Sequence, residues 1–487
     1  MNHSLLEAES LEFSYTDSAN VLRSADISIP KGNLVLLTGP TGSGKSTLAL
    51  CLSGLIPHSI PGELTGRIEI DGVDISSLSM PEISRRVAMV QQDTEGQLAT
   101  LQVQDEVAFG PENFAIPENE ILTRIDDSLE AVNCEHLRNR STNALSGGEK
   151  QRVVIASLLA CNPDYLILDE PTSNLDPCGV SELRTIIEDL KERDIGILCI
   201  EHKIGSFVHE ADRILEIRDG QTQTHHSHRM EHDTKIPRQS AEIHKTAMLS
   251  IEDISFSYGS RLAIDGISLD SYPGEIIAVM GNNGSGKTTL LSLAAGLLEP
   301  DSGVSYLDGK PVSELTPSQI ASLIGFVFQN PNHQIFEKTV WAEQTLIADF
   351  LPVNRQSFFE KARTLLSEAS LISMKERNPF TLSHGQKRRL NITSVTAHEP
   401  RILLLDEPFV GQDPDGQEFV TRTILSKARH GGTCLIITHN SQFVQRYCNR
   451  VLFLQEGNLL LDGPPKMVFN RLEQLGLMEY IPRRKNR

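Results

Sequence analysis

The hydrophobic and polar positions along the chain include two uninterrupted apolar runs, one in each half. They cover residues 34–37 and 276–280, and their lack of polar alternation predicts buried parallel strands. Each run leads into a glycine-rich stretch and then into the apolar spacing of a helix. The pattern therefore predicts two copies of a strand–loop–helix unit.

Both glycine-rich stretches fit the pattern G-x-x-x-x-G-K-[ST]. Successive backbone N–H groups of such a loop converge on an anion, the lysine reaches the outer phosphates, and the hydroxyl can bind Mg²⁺. The residues that this pattern assigns to phosphate are Gly39, Gly42, Gly44, Lys45, Ser46 and Thr47, and then Gly281, Gly284, Gly286, Lys287, Thr288 and Thr289. The alternative is a glycine-rich turn that binds nothing, and the strand and helix around both copies argue against it.

Alternating apolar and polar residues predict a half-exposed strand well ahead of each loop, at residues 11–15 and 254–258. Tyr15 and Tyr258 close these strands, 30 and 29 residues before the loop lysine. An aromatic ring at this point could stack on an adenine base or could fill a sheet face. The spacing leaves both interpretations open.

Chemically distinctive residues recur at equal intervals in the two halves. A glutamine precedes a serine by 54 residues, the serine precedes a glutamate by 24, and the glutamate precedes a histidine by 32. The two series are Gln92, Ser146, Glu170 and His202, and Gln329, Ser383, Glu407 and His439. Three identical intervals indicate that the halves are duplicated copies of one module.

The length of 487 residues also exceeds one typical hydrophobic core. We expect a first domain at residues 1–222, a polar linker at 223–247, and a second domain at 248–487. The second domain ends in an extension from residue 472 that has no counterpart in the first copy. The linker is rich in histidine and could bind a metal, but no cysteine or carboxylate ligand set is spaced around its histidines.

Composition and charge argue against a membrane-spanning, secreted or nucleic-acid-binding protein. Hydrophobic residues make up 39%, no apolar run approaches the ~18 residues of a membrane span, and the chain begins without a secretory signal pattern. The seven cysteines are scattered, which fits reduced thiols in the cytoplasm. The net charge of −19 opposes non-specific binding to nucleic acid. The basic tail at 483–487 could touch anionic lipid or RNA, although a solvated tail is the simpler interpretation.

Each copy has another apolar run that ends in two acids, Asp169-Glu170 and Asp406-Glu407. A buried parallel strand would deliver the aspartate to the sheet edge that carries the phosphate loop, where it can hold Mg²⁺. We expect the glutamate to point the other way along the pleat, so that it faces the outer phosphate and orients or deprotonates a water. The sequence thus predicts a hydrolytic site in each copy.

The segment Leu145-Ser-Gly-Gly-Glu149 resembles the signature motif of ATP-binding cassette (ABC) ATPases. The glutamines, the histidines and the D-loops that follow the glutamates are similar to that family's other motifs, so that the resemblance covers nearly the whole chain twice. It implies an α/β fold with two ABC-type P-loop NTPase domains in tandem. Each domain would have a mainly parallel core sheet, an antiparallel β subdomain and a helical subdomain.

The same resemblance implies ATP and Mg²⁺ as cofactors and gives the motif residues their roles. The implied catalytic residues are Glu170, His202, Glu407 and His439. The implied ATP contacts outside the phosphate loops are Gln92, Ser146, Gly148, Asp176, Gln329, Ser383, Gly385 and Asp413. Tyr15 and Tyr258 join them as the candidate adenine contacts described above. The implied Mg²⁺ ligands are Ser46, Gln92, Asp169, Thr288, Gln329 and Asp406. In that family two cassettes pack head to tail around ATP, which here implies pairing within one chain.

The second copy departs from the signature pattern. It has His384 where the first copy has a glycine, and its D-loop has Gln412 where the first copy has Leu175. The site that would pair Lys45 with this altered signature is expected to be weaker than the site built on Lys287. The resemblance therefore implies two competent but unequal sites.

Residues 94–113 resemble the segment after the glutamine loop in ATPases of energy-coupling factor (ECF) transporters and their cobalt- and nickel-type relatives, and residues 329–334 are similar to that group's glutamine loop. The alternative for the first segment is an ordinary surface helix start. The matching segment at residues 339–343 is a weaker fit, which predicts that the two membrane-facing grooves differ.

The leading hypothesis is an ATPase subunit on the cytoplasmic face of the cell membrane. It would drive uptake of a vitamin, a cofactor precursor or a metal ion through a transmembrane scaffold subunit and a substrate-binding membrane subunit, without nucleic acid. A soluble tandem cassette acting on ribosomes or nucleic acid is the rival, and the acidic charge and the lack of a long charged arm argue against it. An export ATPase would share the chemistry.

Overall fold

The structure is a computed structural model that describes residues 4–16, 20–40, 42–173, 175–201, 207–224 and 246–482. The chain divides into two compact units, Met1–Glu231 and His232–Arg487. The predicted histidine His202, most of the predicted linker and the basic tail lie outside the described residues.

Two sheets form the framework of the first unit. Its strands are β1 (Leu5–Tyr15), β2 (Leu22–Pro30), β3 (Leu34–Thr38), β4 (Gly62–Ile70), β5 (Val73–Asp74), β6 (Val87–Val90), β7 (Tyr165–Asp169), β8 (Gly196–Ile200), β9 (Arg213–Arg218) and β10 (Gln221–Thr224). One sheet is antiparallel with the order β2-β1-β4-β5. The other has the order β10-β9-β3-β8-β7-β6, and its strands run parallel except for β10.

Helices cover the sheets of the first unit. They are α1 (Lys45–Leu52), α2 (Leu55–His58), α3 (Met80–Ser84), α4 (Val103–Asn113), α5 (Glu118–Ala131), α6 (Gly147–Leu159) and α7 (Pro177–Glu192). Among these, α4, α5 and α6 pack on one another and form the helical part of the unit.

The second unit repeats this framework. Its strands are β11 (Leu249–Tyr258), β12 (Arg261–Ser271), β13 (Ile276–Gly281), β14 (Ser302–Leu307), β15 (Lys310–Pro311), β16 (Ile324–Val327), β17 (Ile402–Asp406), β18 (Thr433–Ile437), β19 (Arg450–Gln455) and β20 (Asn458–Gly463). The antiparallel sheet has the order β12-β11-β14-β15, and the mainly parallel sheet has the order β16-β17-β18-β13-β19-β20.

The helices of the second unit follow the same order and continue beyond it. They are α8 (Lys287–Ala294), α9 (Pro317–Leu323), α10 (Val340–Thr345), α11 (Arg355–Glu368), α12 (His384–Thr396), α13 (Pro414–Arg429), α14 (Ser441–Tyr447) and α15 (Pro465–Gln474). A short 3-10 helix, Met478–Tyr480, comes after α15.

The first apolar run is buried because β3 separates two hydrophobic cores. Leu34 and Leu36 join a core that includes residues of the helical part, whereas Val35 and Leu37 join a core shared with the antiparallel sheet. Strand β13 alternates between two cores in the same way. Since both faces of each strand are covered, neither run needs a polar position. The predicted α/β fold, with a mainly parallel sheet, an antiparallel sheet and helices in each unit, is confirmed.

None of the helices in the described ranges is long and apolar enough to cross a membrane.

Candidate functional site

Each predicted phosphate loop joins an interior strand of the parallel sheet to the helix that follows, β3 to α1 and β13 to α8. The Nζ of Lys45 donates to the backbone carbonyls of the first two loop residues, at 2.9 Å each. The Nζ of Lys287 makes the same two bonds, at 2.9 and 2.7 Å. Both lysines are therefore held across their own loops, at a helix N-terminus that favours an anion.

The last glycine of each loop, Gly44 or Gly286, caps its helix in the left-handed conformation, with φ of 105° and 95°. A Cβ atom at Gly44 would lie 3.1 Å from the carbonyl oxygen of Val21, and one at Gly286 would lie 2.4 Å from that of Ala263. Both the backbone angle and this close approach require a residue without a side chain.

Two of the side chains predicted to hold Mg²⁺, Thr288 and Asp406, meet at the end of the parallel strands. The Oγ1 of Thr288 donates to Oδ2 of Asp406 at 2.7 Å. Burial raises the pKa of Asp406. Ser46 on α1 and the buried Asp169 at the end of β7 occupy the matching positions of the first unit. Hydroxyl and carboxylate oxygens are hard ligands that suit Mg²⁺, so the donor set fits the metal.

Glu170 and Glu407 leave the preceding strands in a left-handed backbone conformation, with φ of 51° and 48°. This conformation is strained for a residue with a side chain, and such strain is concentrated at functional sites. Their N–H groups donate to the carbonyls of Ile200 and Ile437 at 3.0 Å. The expectation that pleat alternation aims these glutamates is wrong, because each strand ends at the aspartate and a backbone turn sets the glutamate's direction.

Each glutamate has a side-chain partner among the residues that the structure describes. The Nε2 of Gln92 donates to Oε2 of Glu170 at 2.7 Å. In the second unit, Nε2 of His439 lies 3.1 Å from Oε1 of Glu407. Each contact joins two residues of the series that recurs at equal intervals in the two halves. The geometry therefore agrees with the prediction that these residues act together around the glutamate carboxylate.

The predicted signature serines and D-loop aspartates are all helix N-caps. Ser146 and Ser383 begin α6 and α12, and each accepts a hydrogen bond at 3.3 Å from the N–H three residues later. The side chains at that third position accept in return from the serine N–H, which completes a capping box. Asp176 and Asp413 cap α7 and α13 with bonds of 2.8 Å. The S-x-x-[EQ] pattern could have predicted the two boxes.

The two residues that depart from the signature and D-loop patterns in the second copy, His384 and Gln412, lie close together. The Nε2 of Gln412 donates to the carbonyl of Gly385 at 3.0 Å, next to the unusual His384. In the first unit, the equivalent side chain of Leu175 packs beside Gly148 without a polar bond. The second D-loop is therefore hydrogen-bonded to its own signature helix, whereas Leu175 of the first D-loop has no side-chain donor for such a bond.

The two tyrosines that could stack on adenine or fill a sheet face lie beside the phosphate-loop helices. The hydroxyl of Tyr15 is 3.1 Å from Oγ1 of Thr47, and that of Tyr258 is 3.5 Å from Oγ1 of Thr289. Tyr258 is 54% exposed, which fits a stacking surface better than a sheet core.

Sequence reasoning missed two residues that shape the segment after each glutamine loop. Gln97 and Gln334 donate to backbone carbonyls of β6 and β16 at 2.7 Å. Glu106 and Glu343 accept from two backbone N–H groups of this segment at 2.8–3.0 Å. Burial raises the pKa of Glu343. Both pairs occupy equal positions in the two copies, so alignment of the halves could have found them.

Arg388 is a further residue that sequence reasoning missed. It is fully buried on α12, and its guanidinium donates to the carbonyls of Phe328 and Asp406 at 3.0 Å and also to that of Gln329. It thereby links the signature helix, the glutamine loop and the end of the acidic strand. The first unit has Gln151 here, which donates to a different carbonyl.

Comparisons with known proteins agree on one family. The sequence profile described as ABC transporter matches residues 22–173 and 264–410. A protein of Methanosarcina mazei, provisionally named an ABC transporter ATP-binding protein, is 33% identical over 98% of this chain and 92% of its own length. YkoD of Bacillus subtilis, provisionally named an HMP/thiamine import ATP-binding protein, is 33% identical over 98% of this chain and 94% of its own length.

A solved structure was also matched. It is cbiO1 from Clostridium perfringens, described as part of the ABC transporter complex cbiONQ. The sequence identity is 31%, the match covers 48% of this chain and 96% of that one, and the TM-score is 0.42.

Proposed function

The chain belongs to the ABC transporter family of ATP-binding proteins, and from that premise we propose that it is the ATP-hydrolysing subunit of an importer. The family identifies an ATPase with two nucleotide-binding domains in one chain. The finer proposal is that hydrolysis drives uptake of a vitamin, a cofactor precursor or a metal ion through separate membrane subunits. The similarity to YkoD, a protein named for HMP/thiamine import, supports a cofactor precursor as the cargo.

The proposed reaction is in-line attack of water on the γ-phosphorus of ATP. Glu170 or Glu407 accepts the water's proton while the bond from phosphorus to the bridging oxygen breaks, which yields ADP and inorganic phosphate. His439, beside Glu407, orients that carboxylate. Lys45 and Lys287 hold the outer phosphates. A bound Mg²⁺, held by the hydroxyl and aspartate of each unit, would neutralise negative charge on the phosphates.

We further propose that each signature helix contacts the ATP held by the phosphate loop of the other unit, as the family resemblance implies. The serine hydroxyl and the helix N-terminus would supply donors to the γ-phosphate. Because His384 and Gln412 alter one signature region, the two sites are proposed to hydrolyse ATP at unequal rates.

The observation that carries the coupling proposal is the contact between Gln92 and Glu170. Gln92 precedes a segment that is tied down by Gln97 and Glu106 but presents an apolar side chain, Leu101, which is 70% exposed. A membrane subunit that docks on this segment could therefore shift the hydrolytic carboxylate through one hydrogen bond. In the second unit the corresponding segment presents Phe336, which is 71% exposed.

Affinity isolation of the tagged full chain from native membranes tests this proposal. We expect a multi-helix scaffold protein together with a substrate-binding membrane protein, and we expect the pair to be lost from a Leu101→Asp, Phe336→Asp variant. Leu122→Asp is a matched control, since Leu122 is 44% exposed but belongs to α5, outside the segment between Gln92 and α4. Recovery of ribosomes or nucleic acid without membrane proteins would overturn the importer proposal in favour of a soluble tandem cassette.

A further inference from the structure

The last described residues of the chain pack against the core of the second unit. Tyr480, in the 3-10 helix after α15, is 1% exposed and joins the same core as Phe469 and Leu472. Its ring meets that of Phe453 edge to face, with the centroids 5.1 Å apart. Phe453 belongs to β19, the parallel neighbour of the strand that leads into the phosphate loop. The C-terminal segment is therefore fixed beside that loop.

The hydroxyl of Tyr480 donates to the side-chain oxygen of Asn282, the second residue of the phosphate loop. The backbone carbonyl of Asn282 in turn accepts from Nζ of Lys287 at 2.7 Å and from the N–H of Ser285 at 3.2 Å. A single residue thus connects the C-terminal segment to the lysine that faces the outer phosphates.

We call the bond from the Tyr480 hydroxyl to the Asn282 side chain the tether. The first unit has the equivalent backbone bonds but cannot form this side-chain bond. Its second loop residue is Pro40, whose carbonyl accepts from Nζ of Lys45 at 2.9 Å and from the N–H of Ser43 at 3.2 Å. Proline has no side-chain acceptor, and residues 225–247, which follow the first unit's last strand, contain no tyrosine, phenylalanine or tryptophan. The tether is therefore specific to the second copy of the module.

We propose that Tyr480 is a positioning residue for the phosphate-binding loop of the second unit, through which the C-terminal segment raises that unit's affinity for ATP. A loop held in its binding geometry loses less conformational freedom when ATP binds, and the saved entropy strengthens binding. The bond acts on the loop and not on the reacting atoms, so it changes affinity more than the rate of the chemical step. This inference rests on the proposed binding of ATP at Lys287.

Titration of the full chain with a fluorescent ATP analogue and Mg²⁺ tests the tether. In a Lys45→Ala background, the second unit supplies the remaining phosphate loop with its lysine. We expect Tyr480→Phe, which removes only the hydroxyl, to raise the Kd about fivefold in this background, the scale of one hydrogen bond. Asn282→Ala should raise the Kd by a similar factor. The Kd of the double variant should be no higher than that of either single variant, because both substitutions remove the same bond.

The reciprocal background is the matched control. With Lys287→Ala, the remaining signal comes from the first unit, and Tyr480→Phe should leave its Kd unchanged. An unchanged Kd in the Lys45→Ala background, an equal loss in both backgrounds, or additive effects of the two substitutions would each refute the tether. Absence of any binding in the Lys45→Ala background would instead refute ATP binding at the second loop itself.

Discussion

The buried guanidinium of Arg388 gives a prediction that can be worked out from the structure. Arg388→Met would remove the donor that the carbonyls of Phe328, Gln329 and Asp406 share. Burial lowers the pKa of Arg388 to about 10, which is still well above neutral pH, so the lost group is a cation. Methionine fills a similar apolar volume but donates no hydrogen bond.

Two opposing terms set the size of the effect. The carbonyl bonded by Arg388 at Asp406 is buried and those at Phe328 and Gln329 are partly buried. Left without a donor they cost about 1–3 kcal/mol each, or about 3–9 kcal/mol together. The variant no longer has to desolvate a charge, and the pKa depression puts that gain at roughly 3 kcal/mol. We therefore expect a net loss of about 3 kcal/mol in the stability of the second unit. Arg388→Gln keeps a donor, as in the first unit, and should lose less.

The chain provides its own probe for this measurement. Trp341 is its single tryptophan and lies on α10 of the second unit, so tryptophan fluorescence in urea follows the unfolding of that unit. At a typical urea dependence, a loss of about 3 kcal/mol lowers the midpoint by about 1 M or more.

Lys387→Met is the matched control, because it removes a positive charge from the adjacent residue of the same helix. Lys387 is partly exposed and donates one bond, of 3.0 Å, to Asn332. Its loss should cost less than about 1 kcal/mol. The reasoning is refuted if Arg388→Met unfolds at the midpoint of the wild-type chain or no earlier than Lys387→Met.

Two more predictions concern hydrolysis and pH. Glu170→Gln and Glu407→Gln should each slow single-turnover ATP hydrolysis by about 100-fold or more, with unequal residual rates, and equal residual rates would contradict the proposed inequality of the sites. Burial lowers the pKa of His398 to about 4, so the unfolded chain binds more protons and the second unit should lose about 2–3 kcal/mol as the pH falls from about 6.5 to about 4. His398→Gln, which can still donate to the carbonyl of Ala321, should flatten this profile in Trp341 fluorescence, whereas an unchanged profile would show that another group is responsible.

The elements around the phosphate loops could be predicted because their sequence signals are local. The run at β3 is apolar throughout because cores lie on both of its faces, and the turn after it needs glycine because Gly44 approaches the carbonyl of Val21. The repeated intervals carried the same prediction to the second unit. Burial on two faces requires apolar residues and a left-handed turn favours glycine, so both features can be recognised from residue type.

Contacts between segments that are distant in sequence have no local sequence signal. Tyr480 reaches Asn282 across 198 residues, and Arg388 reaches Phe328 across 60. No spacing rule relates such positions, since the fold and not the chain brings them together. The left-handed backbone of Glu170 was missed for another reason, because a glutamate gives no sign that its backbone will adopt a positive φ.

Uptake by proteoliposomes tests the importer account most directly. The complex isolated with the full chain would be reconstituted with ATP and Mg²⁺ on the side of the vesicle that the chain faces, and labelled HMP or thiamine would be supplied on the other side. The account predicts that label accumulates on the ATP side with the wild-type chain and fails to accumulate with the Glu170→Gln, Glu407→Gln variant. Movement of label away from the ATP side, or accumulation that is equal without ATP, would contradict it.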